Sequence, residues 1–541
     1  MDDATESAAQ HICLKGAIGA ALFSLVAFFV FALPDHPDAL GWAAFFRLPL
    51  EWPLIGLLVL AAPRGALRQS VIALSGLVVF STLVLKAADM GVQTAFQRPF
   101  NPYLDVKMLR DGWNVLSGTI GSSAAVCALA GAAILLIAVF LLTLKSMAWM
   151  ASVRAAPRRA FLLSFSSLFA LGVAMYPAMP RHVSFDTPAY LANRVTSVTQ
   201  SIADMTAFEQ ELAAGRGPLR GEGLFEGVRG KDVIVVFVES YGRSAVEDER
   251  YSGITQPRLH AVQQALEAAG FHAASGWLTS PTVGGLSWLA HGTLLSGLWT
   301  DSQARYDRLM VSHQPSLNRL FSQAGWRSVA VMPAITMAWP EASYFGYDTV
   351  LAASDLQYRG KPFNWITMPD QYTLSALSSL VLQPAHADGK KVMAEIALIS
   401  SHAPWTPVPR LVDWSRVGDG TIFNSQADSG EPPALVWADP ANVRRHYIST
   451  IDYTLSALGE FLVREGGDKV YVIVGDHQPA AIITGQGASR AVPIHIVTDD
   501  QRLLSKFRSA GFTDGMIPDA ASPERPMNAL KTLLIDAFEK P

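Results

Sequence analysis

Three short stretches of this 541-residue chain hold residue types that could do metal or acid–base chemistry. Each follows directly on a run of Val, Ile, Leu, Met and Phe. Glu239-Ser240-Tyr241-Gly242 follows residues 232–238, Ser400-Ser401-His402 follows 392–399, and Gly475-Asp476-His477 follows 469–474. Carboxylate oxygens and imidazole nitrogens are the ligands that a borderline divalent cation such as Zn²⁺ or Mn²⁺ takes. A nucleophile would sit well on a loop entering a helix, where free backbone N–H groups and the helix dipole favour an anion. Residues 279–288 fit: Thr279, Ser280, Thr282 and Ser287 lie among Pro and Gly, and a helical pattern follows over 289–298. A metal on such a hydroxyl lowers its pKa and makes it nucleophilic.

These residues need a scaffold that ends several strands at one edge. The runs at 232–238, 328–331, 392–399, 469–474 and 493–497 are nearly unbroken in apolar residues, as in strands covered on both faces. Helical patterns alternate with them at 257–269, 316–324, 371–382 and 443–464. The alternation predicts a doubly wound α/β sheet, whose ligands collect at the carboxyl ends of strands. Residues 215–230, rich in Gly and Arg, read as a joint, with a helix over 189–214 before it.

The first third is different. Charge is almost absent from most of 12–176, and a membrane span needs about 20 mostly apolar residues. Five spans are expected, at 14–33, 45–62, 71–85, 120–144 and 160–179, with Arg47 and Glu51 weakening the second. Arg64 and Arg68 in the second loop, and Lys145, Arg154, Arg158 and Arg159 in the fourth, place those loops in the cytoplasm. The N-terminus is then inside, and everything after residue 180 is outside. The third loop, 86–118, carries cations, Asp105, Asp111 and several aromatic residues, and reads as an amphipathic segment on the outer leaflet. The clean spans lack ionisable groups, which argues for an anchor rather than a transport path. A net charge of −4 gives no case for nucleic-acid binding. The only cysteines, Cys13 and Cys127, lie in apolar stretches, so the polar part has no disulfide and no thiolate metal site.

Together these pieces resemble the alkaline phosphatase/sulfatase superfamily in its membrane-anchored phosphotransferase branch, which holds lipoteichoic acid synthases, phosphoethanolamine transferases and phosphoglycerol transferases. The resemblance covers about residues 231–500. Val235-Val236-Phe237-Val238-Glu239-Ser240 is similar to the family's first strand with its metal-binding acid. Ser287-Trp288-Leu289-Ala290-His291-Gly292-Thr293-Leu294-Leu295-Ser296-Gly297 matches the spacing of the sulfatase signature, which begins at the nucleophile. Ser400-Ser401-His402-Ala403-Pro404-Trp405 resembles the substrate-binding His segment, and Gly475-Asp476-His477 the late metal pair. Trp339 with Phe345-Gly346-Tyr347-Asp348 resembles the substrate-side loop of the lipoteichoic acid branch. The departures are a lone Glu239 where sulfatases have paired Asp, His291 where they have Arg, and Arg490 near the place of a further metal-binding His.

The resemblance implies a five-span helical domain (1–180), a juxtamembrane helix and linker (181–230), and an extracytoplasmic α/β sulfatase-like domain (231–541), in a bacterial inner membrane. It implies one divalent metal, Mn or Zn, on Glu239, Ser287, Asp476 and His477. Ser287 is the expected nucleophile, with Thr282 as its rival, and His402 the expected proton donor. His402, Trp339, Arg490 and His291 would bind substrate. The implied reaction moves a phospholipid head group, phosphoglycerol or phosphoethanolamine, onto an envelope glycan or glycolipid through a phospho-Ser/Thr intermediate. The alternatives are a phosphodiesterase or sulfatase-type hydrolase, a serine α/β-hydrolase using Ser240 at its turn, or a non-catalytic envelope-binding protein.

Overall fold

The computed structural model describes residues 2–106, 113, 117, 121–179, 182–214 and 224–539. Expectations for the joint at 215–223 and for most of the third loop beyond residue 106 fall outside the described residues. The chain forms two compact units, one of residues 1–94 and 98–203, the other of 95–97 and 204–541.

The first unit is helical. Its long apolar helices are α1 (Asp2–Ala32), α3 (Ala66–Phe96), α4 (Ser122–Ala151) and α5 (Ala155–Met175); α2 (Glu51–Ala61) lies between α1 and α3, and the expected helix at 189–214 spans Thr187–Ala214. Four of these are long and apolar enough to cross a membrane: α1 over Cys13–Ala32, α3, α4 and α5. The expected second span, 45–62, is instead the 11-residue α2. At 1.5 Å per residue that is about 16 Å, short of a hydrocarbon core of about 30 Å. Residues 42–46 form a 3₁₀ turn, and Leu48 and Pro49 pair as a short parallel strand with Val183 and Ser184. Leu135 and Leu163 are 64% and 68% exposed on the outward faces, as lipid-facing side chains would be. Inside the unit, α1 and α4 approach closely: a Cβ on Gly19 would lie 2.6 Å from the Ser146 carbonyl oxygen.

The third span also differs from expectation. Helix α3 does not stop at residue 85 but runs on to Phe96, so Lys86 and Asp89 are helical and buried rather than in a surface loop. Lys86 Nζ donates to the carbonyls of Phe31 (2.9 Å) and Leu33 (2.5 Å), satisfying the open end of α1. Asp89 accepts from the Phe100 N–H (2.8 Å), from Tyr190 Oη (2.5 Å) and from Arg194. The spans are therefore not free of ionisable groups; these two are used to tie helix ends and loops together.

The second unit is built on a nine-stranded sheet. Its strands are β1 (Asp232–Val238), β2 (His272–Thr279), β3 (Arg327–Met332), β4 (Thr349–Ala352), β5 (Val392–Leu398), β6 (Lys469–Gly475), β7 (Ala491–Thr498), β8 (Thr513–Asp514) and β9 (Glu524–Pro526). The order across the sheet is β8-β2-β7-β6-β1-β5-β3-β4, with β9 beside β2. From β6 to β4 every pairing is parallel, and every residue of β1 and β6 is buried. The sheet is mixed rather than wholly parallel, because β7 runs antiparallel to both β6 and β2. Two reversals restore direction, so β2 ends at the same edge as β1, β5 and β6. Four strand ends therefore deliver residues to one rim.

Candidate active site

Local turns and caps at those strand ends fix the residues that come next. After β1 the chain turns sharply: Ser240 is left-handed (φ 55°), which points its N–H at Asp476 Oδ1 (2.8 Å). The His477 N–H donates to the same oxygen (2.6 Å), which leaves Asp476 Oδ2 facing His477 Nε2 at 3.6 Å. After β2 a loop leads to Leu286, left-handed at φ 64°, and then to helix α6 (Ser287–Ser296). Ser287 is thus the first residue of that helix. Its Oγ donates to Glu239 Oε2 (3.1 Å) and lies 3.2 Å from His477 Nε2. Glu239 Oε1 accepts from Ser240 Oγ (2.8 Å) and stands 3.4 Å from His477 Nε2.

Glu239, Asp476 and His477 each offer a ligand atom, all within 4.8 Å of one another, and all three are buried. The tautomer of His477 is set by its neighbour. Nδ1 is 2.9 Å from the Gln478 carbonyl oxygen, which can only accept, so Nδ1 carries the hydrogen, and Nε2 is the nitrogen that faces Glu239 and Asp476. Burial pushes the Asp476 carboxyl up to about 7, with the Glu239 charge adding to it. Burial would lower His477, but Asp476 and Glu239 outweigh it and raise the imidazole to about 9. Burial would likewise raise Glu239, yet His402 and His477 hold it well below the usual carboxylate range. Two carboxylates around one imidazole leave an excess of buried negative charge, which a cation would offset. With no sulfur and a hydroxyl as fourth donor, the set suits Zn²⁺ or Mn²⁺.

The other expected residues have partners of their own. The rival Thr282 is buried, and its hydroxyl donates to the Gly285 carbonyl (2.7 Å), within its own loop. His402 stacks on Trp365 (centroids 3.8 Å apart, 14° between planes), and its Nδ1 lies 2.5 Å from the Ala403 carbonyl oxygen. The Ala403 carbonyl can only accept, so Nδ1 carries a hydrogen. His291, one turn beyond Ser287, stacks on Phe237 at 3.7 Å and pairs through Nδ1 with Glu395 Oε1 at 2.7 Å. Trp339 packs with Phe345 and Tyr347, at 5.9 and 6.0 Å between centroids. Arg490 reaches the Pro281 carbonyl (3.4 Å), on the loop that precedes Ser287. Ser240, the nucleophile of the α/β-hydrolase alternative, is buried and donates its hydroxyl to Glu239 rather than to an imidazole.

Supporting residues outside the motifs matter as much. Asp370 accepts from the N–H groups of Ile399 (2.8 Å) and Ser400 (3.0 Å) and from Thr454 Oγ1 (2.7 Å), pinning the turn that carries His402. Ser280 Oγ donates to the Asp476 carbonyl (2.6 Å), tying the loop before α6 to the Asp476–His477 pair. Nothing in their spacing marks them. Glu395 had one visible signal, a lone carboxylate within the apolar run of β5.

No protein-family model and no curated protein matches the chain. Among solved structures it is similar to the lipoteichoic acid synthase LtaP from Listeria monocytogenes, at 14% identity over 58% of this chain and 73% of that one, with a TM-score of 0.37. It is similar to the Streptococcus pyogenes phosphoglycerol transferase GacH in complex with sn-glycerol-1-phosphate, at 14% identity, 63% and 91% coverage and a TM-score of 0.37. A protein in the alkaline phosphatase superfamily from Vibrio parahaemolyticus matches at 12% identity, 57% and 66% coverage and a TM-score of 0.37. The chain is thus similar to solved structures of the alkaline phosphatase superfamily, lipoteichoic acid synthase and phosphoglycerol transferase among them, the group its motifs resemble.

Proposed function

We propose that the protein is a metal-dependent transferase that moves a phospholipid head group, phosphoglycerol or phosphoethanolamine, onto a cell-envelope glycan or glycolipid. One observation carries the reading: Ser287 Oγ, at a helix N-terminus, lies within 3.2 Å of both Glu239 and His477, inside the Glu239–Asp476–His477 group. Glu239, Ser287, Asp476 and His477 would hold a divalent cation, Mn or Zn, whose positive charge would lower the pKa of the Ser287 hydroxyl. Ser287 Oγ attacks the phosphorus of the donor, and a new P–Oγ bond forms as the P–O bond to diacylglycerol breaks. His402 gives its proton to the departing diacylglycerol oxygen. The same imidazole then takes the proton of an acceptor hydroxyl or amine, which displaces Ser287 and carries the head group away. His291 and Arg490 hold phosphoryl oxygens, and Trp339 lines the head-group side.

The helical unit supports a lipid donor, since such a donor is met at a membrane surface. Five crossings, with α2 as the short second one, the N-terminus inside and the domain at 231–541 outside a bacterial inner membrane, complete the proposal. The linker at 181–230 then joins anchor to catalyst. If water takes the acceptor's place, the same first half-reaction makes the protein a phosphodiesterase.

The test is a rapid quench of metal-loaded protein with radiolabelled phosphatidylglycerol or phosphatidylethanolamine, followed by peptide mass spectrometry. Label is expected on Ser287, and its loss on chelation. Ser287→Ala should lower turnover at least about a thousandfold. Thr282→Ala loses one loop hydrogen bond and should cost about tenfold or less. Full activity in Ser287→Ala, or label that survives chelation, would overturn the reading.

A further inference from the structure

Glu395 lies in the middle of β5, in register with Val235 of β1 and Ala330 of β3, and is 1% exposed. A carboxylate in the centre of a parallel sheet is costly unless it is hydrogen-bonded. Here three donors from three separate elements bond both oxygens. His291 Nδ1, on α6, is 2.7 Å from Oε1. Asn318 Nδ2, on α7 (Leu317–Gln323), donates to Oε2 at 3.0 Å. The Tyr347 hydroxyl, on the loop before β4, donates to Oε2 as well.

One of these donors is on the helix that begins at Ser287. His291 follows Ser287 by four residues, one turn along the same helix face. A carboxylate can only accept, so Nδ1 of His291 is the protonated nitrogen in that pair, and Nε2 is turned away from Glu395. The ring is wedged flat on Phe237, two residues before Glu239, and its side chain stays 13% exposed. Tyr347 stacks on Phe345 and packs against Trp339. One buried carboxylate thus joins the nucleophile helix to the aromatic loop.

We infer that Glu395 is a positioning residue: it fixes His291, through Nδ1, so that Nε2 is presented to a phosphoryl oxygen beside Ser287, and it holds the Tyr347–Trp339 loop to the same frame. The ligand class is a phosphate oxyanion, and the inference rests on the phosphoryl site proposed above. Neither His291 nor Glu395 takes part in the metal group, so phosphate binding and metal binding are separable.

The test is calorimetric binding of inorganic phosphate to the full-length, Zn-loaded protein in detergent. The chains compared are the wild type, His291→Gln, Glu395→Gln and the double variant, with zinc affinity measured on each. Each single change should weaken phosphate at least tenfold and leave zinc affinity within about threefold. The double variant should be no weaker than the worse single, because Glu395 acts through His291. Tyr347→Phe removes one hydrogen bond without a cavity and should weaken phosphate severalfold in the same direction. It carries the test, paired with His291→Gln in the same cycle, if Glu395→Gln does not fold. Additive losses, unchanged phosphate binding in the variants, or no phosphate binding by the wild type would overturn the inference. Coupled phosphate losses in a protein that forms no phospho-Ser287 would sink the transferase reading and leave this one standing.

Discussion

His495, in the middle of β7, is fully buried, and its two ring nitrogens have fixed roles. Ser275 Oγ spends its hydrogen on the Gly515 carbonyl (2.6 Å), so His495 Nδ1 must donate to Ser275 Oγ at 2.7 Å. Nε2 then accepts from the Tyr241 hydroxyl at 3.2 Å. This neutral tautomer has no place for a second proton, and burial pushes the imidazole down to about 3. Its unfolded value is about 6.5, so between the two the unfolded chain binds the extra proton. Stability is therefore lost as pH falls from about 6.5 toward 3, by about 1.4 kcal/mol per pH unit from this residue. Asp370 acts oppositely: burial pushes it up to about 6, so its contribution is lost as pH rises through that value. Replacing His495 isolates one trend. In thermal melts of the sheet unit between pH 4 and 7, His495→Gln should lower the midpoint at neutral pH and flatten its fall toward acid. Parallel curves for wild type and variant would show that His495 does not govern the acid limb.

At the scale of elements, the metal group depends on how closely two strand ends approach. The turn after β1 crosses the end of β6, where Gly475 leaves no room: a Cβ there would lie 1.8 Å from the Tyr241 carbonyl oxygen. The same crossing brings the Ser240 N–H to Asp476 and the Asp476 N–H to the Val238 carbonyl at 3.2 Å. Gly475→Ala should therefore push Glu239 away from Asp476, destabilise the unit by about 2 kcal/mol or more, and weaken zinc at least tenfold. Gly253, in a helix with nothing near its Cβ position, is the control, and Gly253→Ala should leave zinc affinity unchanged. Equal zinc affinity in both variants would rule out the crowding argument. Such crowding is invisible in a sequence, whereas other features were legible. Strands β1, β5 and β6 could be read because burial on both faces demands unbroken apolar runs, and the site residues because they come directly after those runs. Strand β2, His-Ala-Ala-Ser-Gly-Trp-Leu-Thr, could not: its small residues fit a crowded layer, with Gly276 against Phe512, and lack the branched side chains that mark a strand. The reversal of β7 escaped for a related reason, since strand direction is set by connections rather than by composition. The loop before α6 was legible as hydroxyl-rich, and the resemblance to the sulfatase signature singled out Ser287 within it. Coordinates add that the Ser287 hydroxyl stands at Glu239 and His477 while that of Thr282 bonds within its own loop.

At the scale of the whole molecule the open quantity is the number of crossings, since its parity decides which side of the membrane the sheet unit occupies. Helix α2 is too short to span by itself, but its neighbours show how deep it reaches within the helical unit. The Leu60 carbonyl accepts from Arg158, near the start of α5, at 2.8 Å. A Cβ on Gly56 would touch Phe165 at 3.0 Å, and one on Gly172, near the end of α5, would touch Leu50. The chain from Leu50 to Leu60 therefore runs antiparallel along α5 from residue 172 back to 158, about 21 Å at 1.5 Å per residue. Arg68 donates to the carbonyls of Ala62 (2.7 Å) and Ala151 (2.9 Å), so the α2 end, the α3 start and the α4 end share one rim. That rim carries the cations Arg64, Arg68, Arg154, Arg158 and Arg159, as a cytoplasmic face would. The expected result is five crossings, with the approach to α2 completed by the segment before it. With Cys13 and Cys127 replaced by Ser, a single Cys at Asp38 should react with a membrane-impermeant maleimide in intact spheroplasts. A single Cys at Gly65 should react only after the membrane is opened, and a β-lactamase fused after residue 541 should protect cells from ampicillin. Labelling of both positions from outside, with no protection by the fusion, would mean that α2 turns back within the membrane. The sheet unit would then share a compartment with the N-terminus, where no envelope acceptor is available to it.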